Sequence, residues 1–153
     1  RAGGAHRASD GRGSGVLAYS QLAQGLLLGK FANAAEVPDD RARTRHFSSE
    51  RSLARHGGPG FEELTFETIQ KVGEICREAG ISHEEAALST LLAQPGITSV
   101  IAGARSAVQL RANVDAVIQL DDSVVHQLVT ATDAVKEAPG PYPDMWAEKS
   151  RVS

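Results

Sequence analysis

The sequence has 153 residues, enough for one domain with a sizeable core, and its hydrophobic (41%) and charged (23%) fractions are ordinary for a globular protein. A net charge of -3 is too small to indicate nucleic-acid binding, and no apolar run approaches the ~18 residues of a membrane span. The single cysteine, Cys76, cannot form an internal disulfide, which favours a reducing compartment. We therefore expect a cytoplasmic protein that binds neither nucleic acid nor membrane.

Residues 1–14 contain many glycines and arginines and no large apolar residue. This composition predicts a flexible leader, not a signal peptide, in front of a domain that covers residues 15–153.

The first predicted strand covers residues 15–19, and its side chains are apolar on both faces, as in buried parallel strands. An irregular stretch, residues 32–60, carries several arginines and some acidic residues. Two interpretations of it stay open. It is a solvated surface loop, or it is a lid over a bound nucleotide, since long loops in compact domains are commonly functional.

Two helices are predicted next. Apolar positions recur at helical spacing over residues 61–79, and Gly80 is placed to end that helix. A capping box formed by Ser82 and Glu85 begins a second helix over residues 83–94.

A β-branched run predicts a second buried strand over residues 97–102, and Gly103 follows it as a turn. Ser106 and Gln109 form a second capping box, which begins a helix over residues 106–118. Free N–H groups at its start, beside Arg105, would suit a phosphate, although an ordinary strand-to-helix turn has the same pattern.

The helix over residues 106–118 is expected to turn Leu110, Val114 and Val117 towards the core. Asp121 can cap a last helix over residues 122–137, and the tail that contains Trp146 is expected to pack on an apolar surface or a partner. The order of elements predicts an α/β fold with two parallel strands joined by a helical crossover, and four main helices.

Two segments carry a family resemblance: residues 15–31, GVLAYSQLAQGLLLGKF, and residues 101–113, IAGARSAVQLRAN. Both resemble the aldo-keto reductases, and the likeness runs from about residue 15 to residue 151. The resemblance implies a fragment of a TIM (β/α)8 barrel that is truncated before the seventh strand, so the two predicted strands would be the seventh and eighth. It also implies NADP(H) as the cofactor.

The resemblance assigns roles to individual residues. Tyr19 would stack on the nicotinamide ring, and Arg105 would be the charge partner of the 2′-phosphate. The loop near the pyrophosphate would contain Ser20, Leu22, Gln24 and Gly25. The 2′-phosphate and adenine segment would contain Gly103, Ala104, Arg105, Ser106, Gln109 and Asn113. Gln21, Ala102 and Ala112 depart from the family pattern and should weaken cofactor affinity.

The catalytic tyrosine, lysine, aspartate and histidine of the resembled family lie N-terminal to the point where the resemblance begins. No catalytic residue and no metal site is therefore assigned here, and the chain alone is not expected to reduce carbonyls.

Three functions stay open. In the first, the chain is a homo-oligomer, dimer or tetramer, with a residual NADP(H) site. In the second, it gains carbonyl reductase activity by oligomerisation or with a separate N-terminal barrel part. In the third, it is a non-catalytic structural or engineered fragment. Self-association is favoured because two strands alone leave sheet edges open.

Overall fold

A computed structural model describes residues 15–19, 23–140 and 144–146, with only the backbone of Gln24 described. The predicted leader lies outside the described residues. So do Ser20, Gln21 and Leu22 of the predicted pyrophosphate loop, and part of the tail around Tyr142.

The two predicted strands form a parallel pair, which confirms the α/β fold. Strand β1 is Val16–Tyr19 and strand β2 is Ile97–Ile101. Val16 pairs with Ile97 and Tyr19 pairs with Ile101, with an irregularity in the register between Val16 and Leu17. Parallel strands need a long crossover, and here it contains two 3₁₀ helices and two α-helices.

Five α-helices are described: α1 (Glu62–Ala79), α2 (His83–Leu92), α3 (Ala107–Asp115), α4 (Asp122–Ala131) and α5 (Asp133–Glu137). Two 3₁₀ helices, Ala23–Leu28 and Ala34–Glu36, precede α1. None of the described helices is long and apolar enough to cross a membrane.

The junction between α1 and α2 follows the sequence prediction. Gly80 has a φ of 67°, a left-handed conformation that favours glycine and ends α1. The Ser82 side chain accepts from the N–H of Glu85 at 3.1 Å, and the Glu85 carboxylate accepts from the N–H of Ser82 at 2.6 Å. This reciprocal capping box fixes the start of α2.

The predicted helix over residues 122–137 is broken into α4 and α5, so its predicted continuity is wrong. At the break, the Thr132 hydroxyl donates to the carbonyl oxygens of Leu128 (3.1 Å) and Val129 (2.8 Å). A threonine bonded back to the preceding turn bends a helix. The Asp121 side chain makes no capping hydrogen bond, so that predicted cap is also wrong.

Two apolar clusters form the core. One lies between the 3₁₀ helices and the first half of α1 and includes Phe47 and Phe66. The other joins the second half of α1 to α2 and α4 through Val72, Cys76 and Leu128. Cys76 is a free thiol, and burial raises its pKa.

Part of the stretch of residues 32–60 enters the core, so the interpretation of the whole stretch as a solvated surface loop is wrong. Phe47, Val37 and Ala42 are all buried within this segment. The Arg51 guanidinium holds the segment together: it donates to the carbonyl of Val37 at 2.9 Å and stacks over the Phe47 ring at 5.2 Å. The described contacts of this segment are therefore structural.

The strands and α3 are more exposed than predicted. Leu17, Tyr19 and Ile101 of the strands are exposed, so the prediction of strands buried on both faces is wrong. No residue of α3 is buried; Leu110 and Val114 point away from the core, and so does Val117 just after the helix. The chain is instead anchored just after α3, where the buried Ser89 hydroxyl donates to the carbonyl of Ala116 at 3.2 Å and accepts from the N–H of Ile118 at 3.0 Å.

The described part of the tail packs on the chain itself. The N–H of Arg45 donates to the carbonyl of Met145 at 2.9 Å, and the Arg45 guanidinium donates to the carbonyl of Pro139 at 2.8 Å. The Arg43 guanidinium lies over the Trp146 ring, 5.7 Å from its centroid. The described tail residues therefore pack as predicted, but on the arginine-bearing segment of residues 43–45 and not on the apolar surface or partner that the sequence suggested.

Candidate cofactor-binding edge of the sheet

Tyr19 and the segment after β2 lie at the same edge of the sheet. Tyr19 is the last residue of β1 and pairs with Ile101, the last residue of β2. Since the strands are parallel, the chain leaves both of them at this carboxyl edge. Tyr19 is 74% exposed there, so its ring is available for stacking. In α/β barrels, phosphate groups bind in the loops at this edge.

Hydrogen bonds within residues 103–113 fix the segment that follows β2. Ser106 begins α3, and its hydroxyl accepts from the N–H of Gln109 at 3.2 Å. The Gln109 side-chain oxygen accepts from the N–H of Arg105 at 2.8 Å. In a complete capping box the Gln109 side-chain oxygen would accept from the backbone N–H of Ser106. The predicted hydrogen bond to the Ser106 hydroxyl is therefore confirmed, whereas the hydrogen bond to the Gln109 side chain comes from Arg105, one residue earlier.

Asn113 joins the helix to the loop. Its side-chain amide donates to the carbonyl of Gly103 at 3.2 Å, ten residues earlier in the chain. A Cβ placed on Gly103 would have no atom within 4 Å, and Gly103 does not have a positive φ. Neither the backbone conformation of Gly103 nor contacts with the described residues therefore require glycine at this turn. The space beside Gly103 is open to a ligand.

The start of α3 offers an environment that suits an anion. The first N–H groups of a helix, here those of Ala107 and Val108, have no acceptor within the helix. The helix dipole adds partial positive charge at this end, and the exposed Arg105 lies next to it. The N–H of Arg105 itself donates to the Gln109 side chain, so it is not one of the free donors at the helix start.

The predicted pyrophosphate loop is described only in part. Gly25 lies in the first 3₁₀ helix with a φ of 93°, a conformation that favours glycine. A Cβ built on Gly25 would lie 3.7 Å from Nη1 of Arg41, so the structure brings this arginine beside the loop. The sequence analysis gave Arg41 no role beyond its place in the arginine-bearing stretch. Gly25 and Arg41 lie far apart along the chain, so no sequence pattern indicated that they are neighbours.

The other cavities lie away from this edge. A cleft of about 580 Å³ lies between α1 and the segment that follows the first 3₁₀ helix. Phe31, Gly73 and His83 are among its lining residues, and none of the predicted cofactor residues is. The carboxyl edge is the stronger candidate, because it combines an exposed aromatic ring, a cationic side chain and a helix N-terminus. Among the described residues, no group of three or more His, Cys, Asp or Glu side chains is placed to hold a metal ion.

Comparison with known proteins decides the family. A model of the Aldo/keto reductase family matches residues 7–133, and this match begins inside the segment predicted to be a leader. The chain belongs to the aldo/keto reductase family. It is 35% identical over 108 residues to an L-glyceraldehyde 3-phosphate reductase of Escherichia coli, covering 71% of this chain and 30% of that protein. It is 33% identical over 117 residues to an uncharacterised oxidoreductase of Bacillus subtilis, covering 76% of this chain and 31% of that protein.

The fold is also found in a solved structure of the family. A glycerol dehydrogenase from Gluconobacter oxydans superposes with a TM-score of 0.58 at 25% identity, covering 88% of this chain and 38% of that one. The aldo/keto reductase chain therefore has an α/β fold corresponding to part of a TIM barrel, and it spans about a third of the length of the relatives that it matches.

Proposed function

We propose that this chain is the NADP(H)-binding part of an aldo/keto reductase-type oxidoreductase, with the 2′-phosphate held at the start of α3. The observation that carries the proposal is the position of Arg105. It is exposed beside a helix N-terminus, at the sheet edge where Tyr19 is also exposed. A guanidinium can donate two parallel hydrogen bonds to a phosphate, and the helix dipole favours the same charge.

The internal hydrogen bonds fit a pre-shaped site. Gln109 and Asn113 hold the turn through bonds to the N–H of Arg105 and the carbonyl of Gly103, so less backbone ordering remains when a ligand binds. Ser106 keeps its hydroxyl on the N–H of Gln109 and acts as the helix cap in this arrangement.

The test is Arg105→Ala, measured by titrating NADPH and NADH separately and following the fluorescence of the reduced nicotinamide. A lost hydrogen bond to a charged group costs about 1.5–3 kcal/mol, so NADPH affinity should fall roughly 10- to 150-fold. NADH lacks the 2′-phosphate, so its affinity should hardly change.

Arg111→Ala is the matched control, because Arg111 is an exposed arginine on the same helix and has no assigned contact with the cofactor. It should leave both affinities unchanged. Equal losses for NADPH and NADH in Arg105→Ala would mean that Arg105 is structural and that the site lies elsewhere. Binding of neither cofactor below the millimolar range would favour the alternative of a non-catalytic structural or engineered fragment.

Carbonyl reduction is proposed only for an assembly. In this proposal a separate N-terminal barrel part supplies the group that donates a proton to the carbonyl. The relatives are named for L-glyceraldehyde 3-phosphate reduction and glycerol oxidation, so small hydroxylated carbonyl compounds are the substrate class to try first.

A cytoplasmic setting is inferred from the single cysteine, Cys76.

The isolated chain is proposed to associate with itself as a dimer or tetramer. Its exposed apolar strand residues, Leu17 and Ile101, would otherwise face water. Light scattering on a size-exclusion column at micromolar concentration measures this, and a monomer with a cooperative melt would contradict it.

A further inference from the structure

The cleft of about 580 Å³ beside α1 is separate from the sheet edge that is proposed for the cofactor. Its volume falls within the range of small-molecule sites, roughly 300–1,000 Å³. The α1 residues that line it recur at helical spacing between Phe66 and Arg77, so one stripe of the helix forms one wall. Among the described lining residues, none belongs to β1, β2 or α3. This cleft, hereafter the α1 cleft, is therefore distinct from the exposed strand surface.

One end of the α1 cleft is apolar. Phe66 and Ile69 belong to the first apolar cluster of the core, and the half-buried Phe31 packs against that cluster. The accessible part of this surface is poorly solvated, so covering it with an apolar group is favourable. An aromatic ring suits this end, because it brings a large flat contact area and can interact with the phenylalanine rings.

The other end of the α1 cleft carries both signs of charge. Glu74 and Arg77 are exposed and lie three residues apart on α1, so their side chains are neighbours on one face. The half-buried His83, the first residue of α2, also lines the cleft. None of these three side chains makes a hydrogen bond or an ion pair with the described residues. A simple anion or cation would meet one like charge here, whereas a zwitterion can pair with both charges.

Two glycines leave room around the His83 ring. A Cβ built on Gly73 would lie 3.3 Å from Nε2 of His83, and a Cβ built on Gly29 would lie 3.0 Å from the same atom. Gly73 is an interior residue of α1, where glycine is less favourable than alanine. It lies between the apolar end and the charged end of the helix stripe. The side chain that α1 lacks at this position therefore leaves space for a ligand beside the imidazole.

We propose that the α1 cleft binds a free α-amino acid with an aromatic side chain. The carboxylate of the ligand accepts hydrogen bonds from the Arg77 guanidinium and from a ring N–H of His83. Its ammonium group pairs with the Glu74 carboxylate, and its ring lies against Phe31 and Ile69. This site shares no residue with the cofactor site, so the inference is independent of the proposed function.

The test is a titration of the full chain with three ligands, L-phenylalanine, hydrocinnamate and phenethylamine, followed by two-dimensional amide NMR. All three carry the same ring, but hydrocinnamate lacks the ammonium group and phenethylamine lacks the carboxylate. L-phenylalanine should bind most tightly, in the roughly millimolar range expected for a ligand of this size. It should shift the amide signals of Gly73 and His83 in a saturable manner.

Two substitutions separate the contributions of the charges. Arg77→Ala should weaken the binding of L-phenylalanine and hydrocinnamate but not that of phenethylamine. Glu74→Gln should weaken the binding of L-phenylalanine and phenethylamine but not that of hydrocinnamate. Each loss should be about two- to fivefold, because both side chains are exposed and exposed ion pairs are weak. Lys71→Ala and Glu78→Gln are the matched controls and should change none of the affinities, since both residues are exposed on α1 outside the cleft.

Gly73→Ala tests the shape of the cleft. Its methyl group would occupy the space beside His83, so the affinity for L-phenylalanine should fall by about fivefold or more. A thermal melt of this variant checks that it is folded. The proposal is overturned if L-phenylalanine does not bind saturably, if the three ligands bind equally, or if Arg77→Ala and Glu74→Gln behave as their controls do. NADPH affinity is a separate measurement, so failure of the cofactor site and failure of the α1 cleft can be told apart.

Discussion

Acidification should destabilise the chain through His46. Its ring lies against Phe61, with centroids 5.2 Å apart, and its Nδ1 lies 3.0 Å from the Thr44 hydroxyl. Burial lowers the pKa of His46 from 6.5 to about 4, because the charged ring would lose its hydration in this position.

The magnitude follows from the difference in proton binding. Between pH 6.5 and pH 4 the unfolded chain carries the His46 proton and the folded chain does not, so stability falls as the pH falls through this window. At about 1.4 kcal/mol per pKa unit, His46 should remove about 2 kcal/mol of unfolding free energy between pH 7.5 and pH 5. The effect is absent above pH 7, where His46 is neutral in both states.

The assay is urea unfolding at pH 7.5, 6 and 5, with His46→Gln compared with the native sequence. The variant should start less stable but lose about 2 kcal/mol less on acidification, because it has no ring to titrate. His126→Gln is the control, since His126 is exposed, and it should behave as the native sequence does. Asp39 and Glu85 have lowered pKa values and lose their contributions only below their ordinary values of 3.8 and 4.5, outside the measured range. Equal acid sensitivity of His46→Gln and the native chain would refute the reasoning.

Two further pairs of substitutions test the local structure by thermal or urea unfolding. Gly60→Ala should cost about 3 kcal/mol or more, since φ is 77° and a Cβ would lie 2.4 Å from the Phe47 carbonyl, whereas Gly80→Ala, with open space, should cost only about 1 kcal/mol. Similar losses at both glycines would contradict the close approach at Phe47. Ser82→Ala removes a capping box and should cost about 1 kcal/mol, while Asp121→Ala removes no capping hydrogen bond and should cost about 0.3 kcal/mol. A larger loss for Asp121→Ala than for Ser82→Ala would contradict the hydrogen bonds described at these two helix starts.

The sequence alone determined the features that depend on local chemistry. The capping box at Ser82, the glycine end of α1 and the spacing of apolar residues along it act over a few residues, so they can be read without the fold. The two strands and their parallel pairing follow from their composition and the helical crossover between them. The resemblance over residues 101–113 likewise placed Ser106, Gln109 and Asn113 in one segment, and their hydrogen bonds lie within it.

Only the tertiary structure decided which apolar residues are covered. The pattern at Leu110, Val114 and Val117 predicts a buried face, but burial needs an element on the other side, and none of the described residues provides one. Conversely, residues 32–60 look like a charged loop, yet Arg51 satisfies backbone carbonyls there and lets Phe47 enter the core. Periodicity reports what a segment can bury, whereas the contacts between distant segments determine what it does bury.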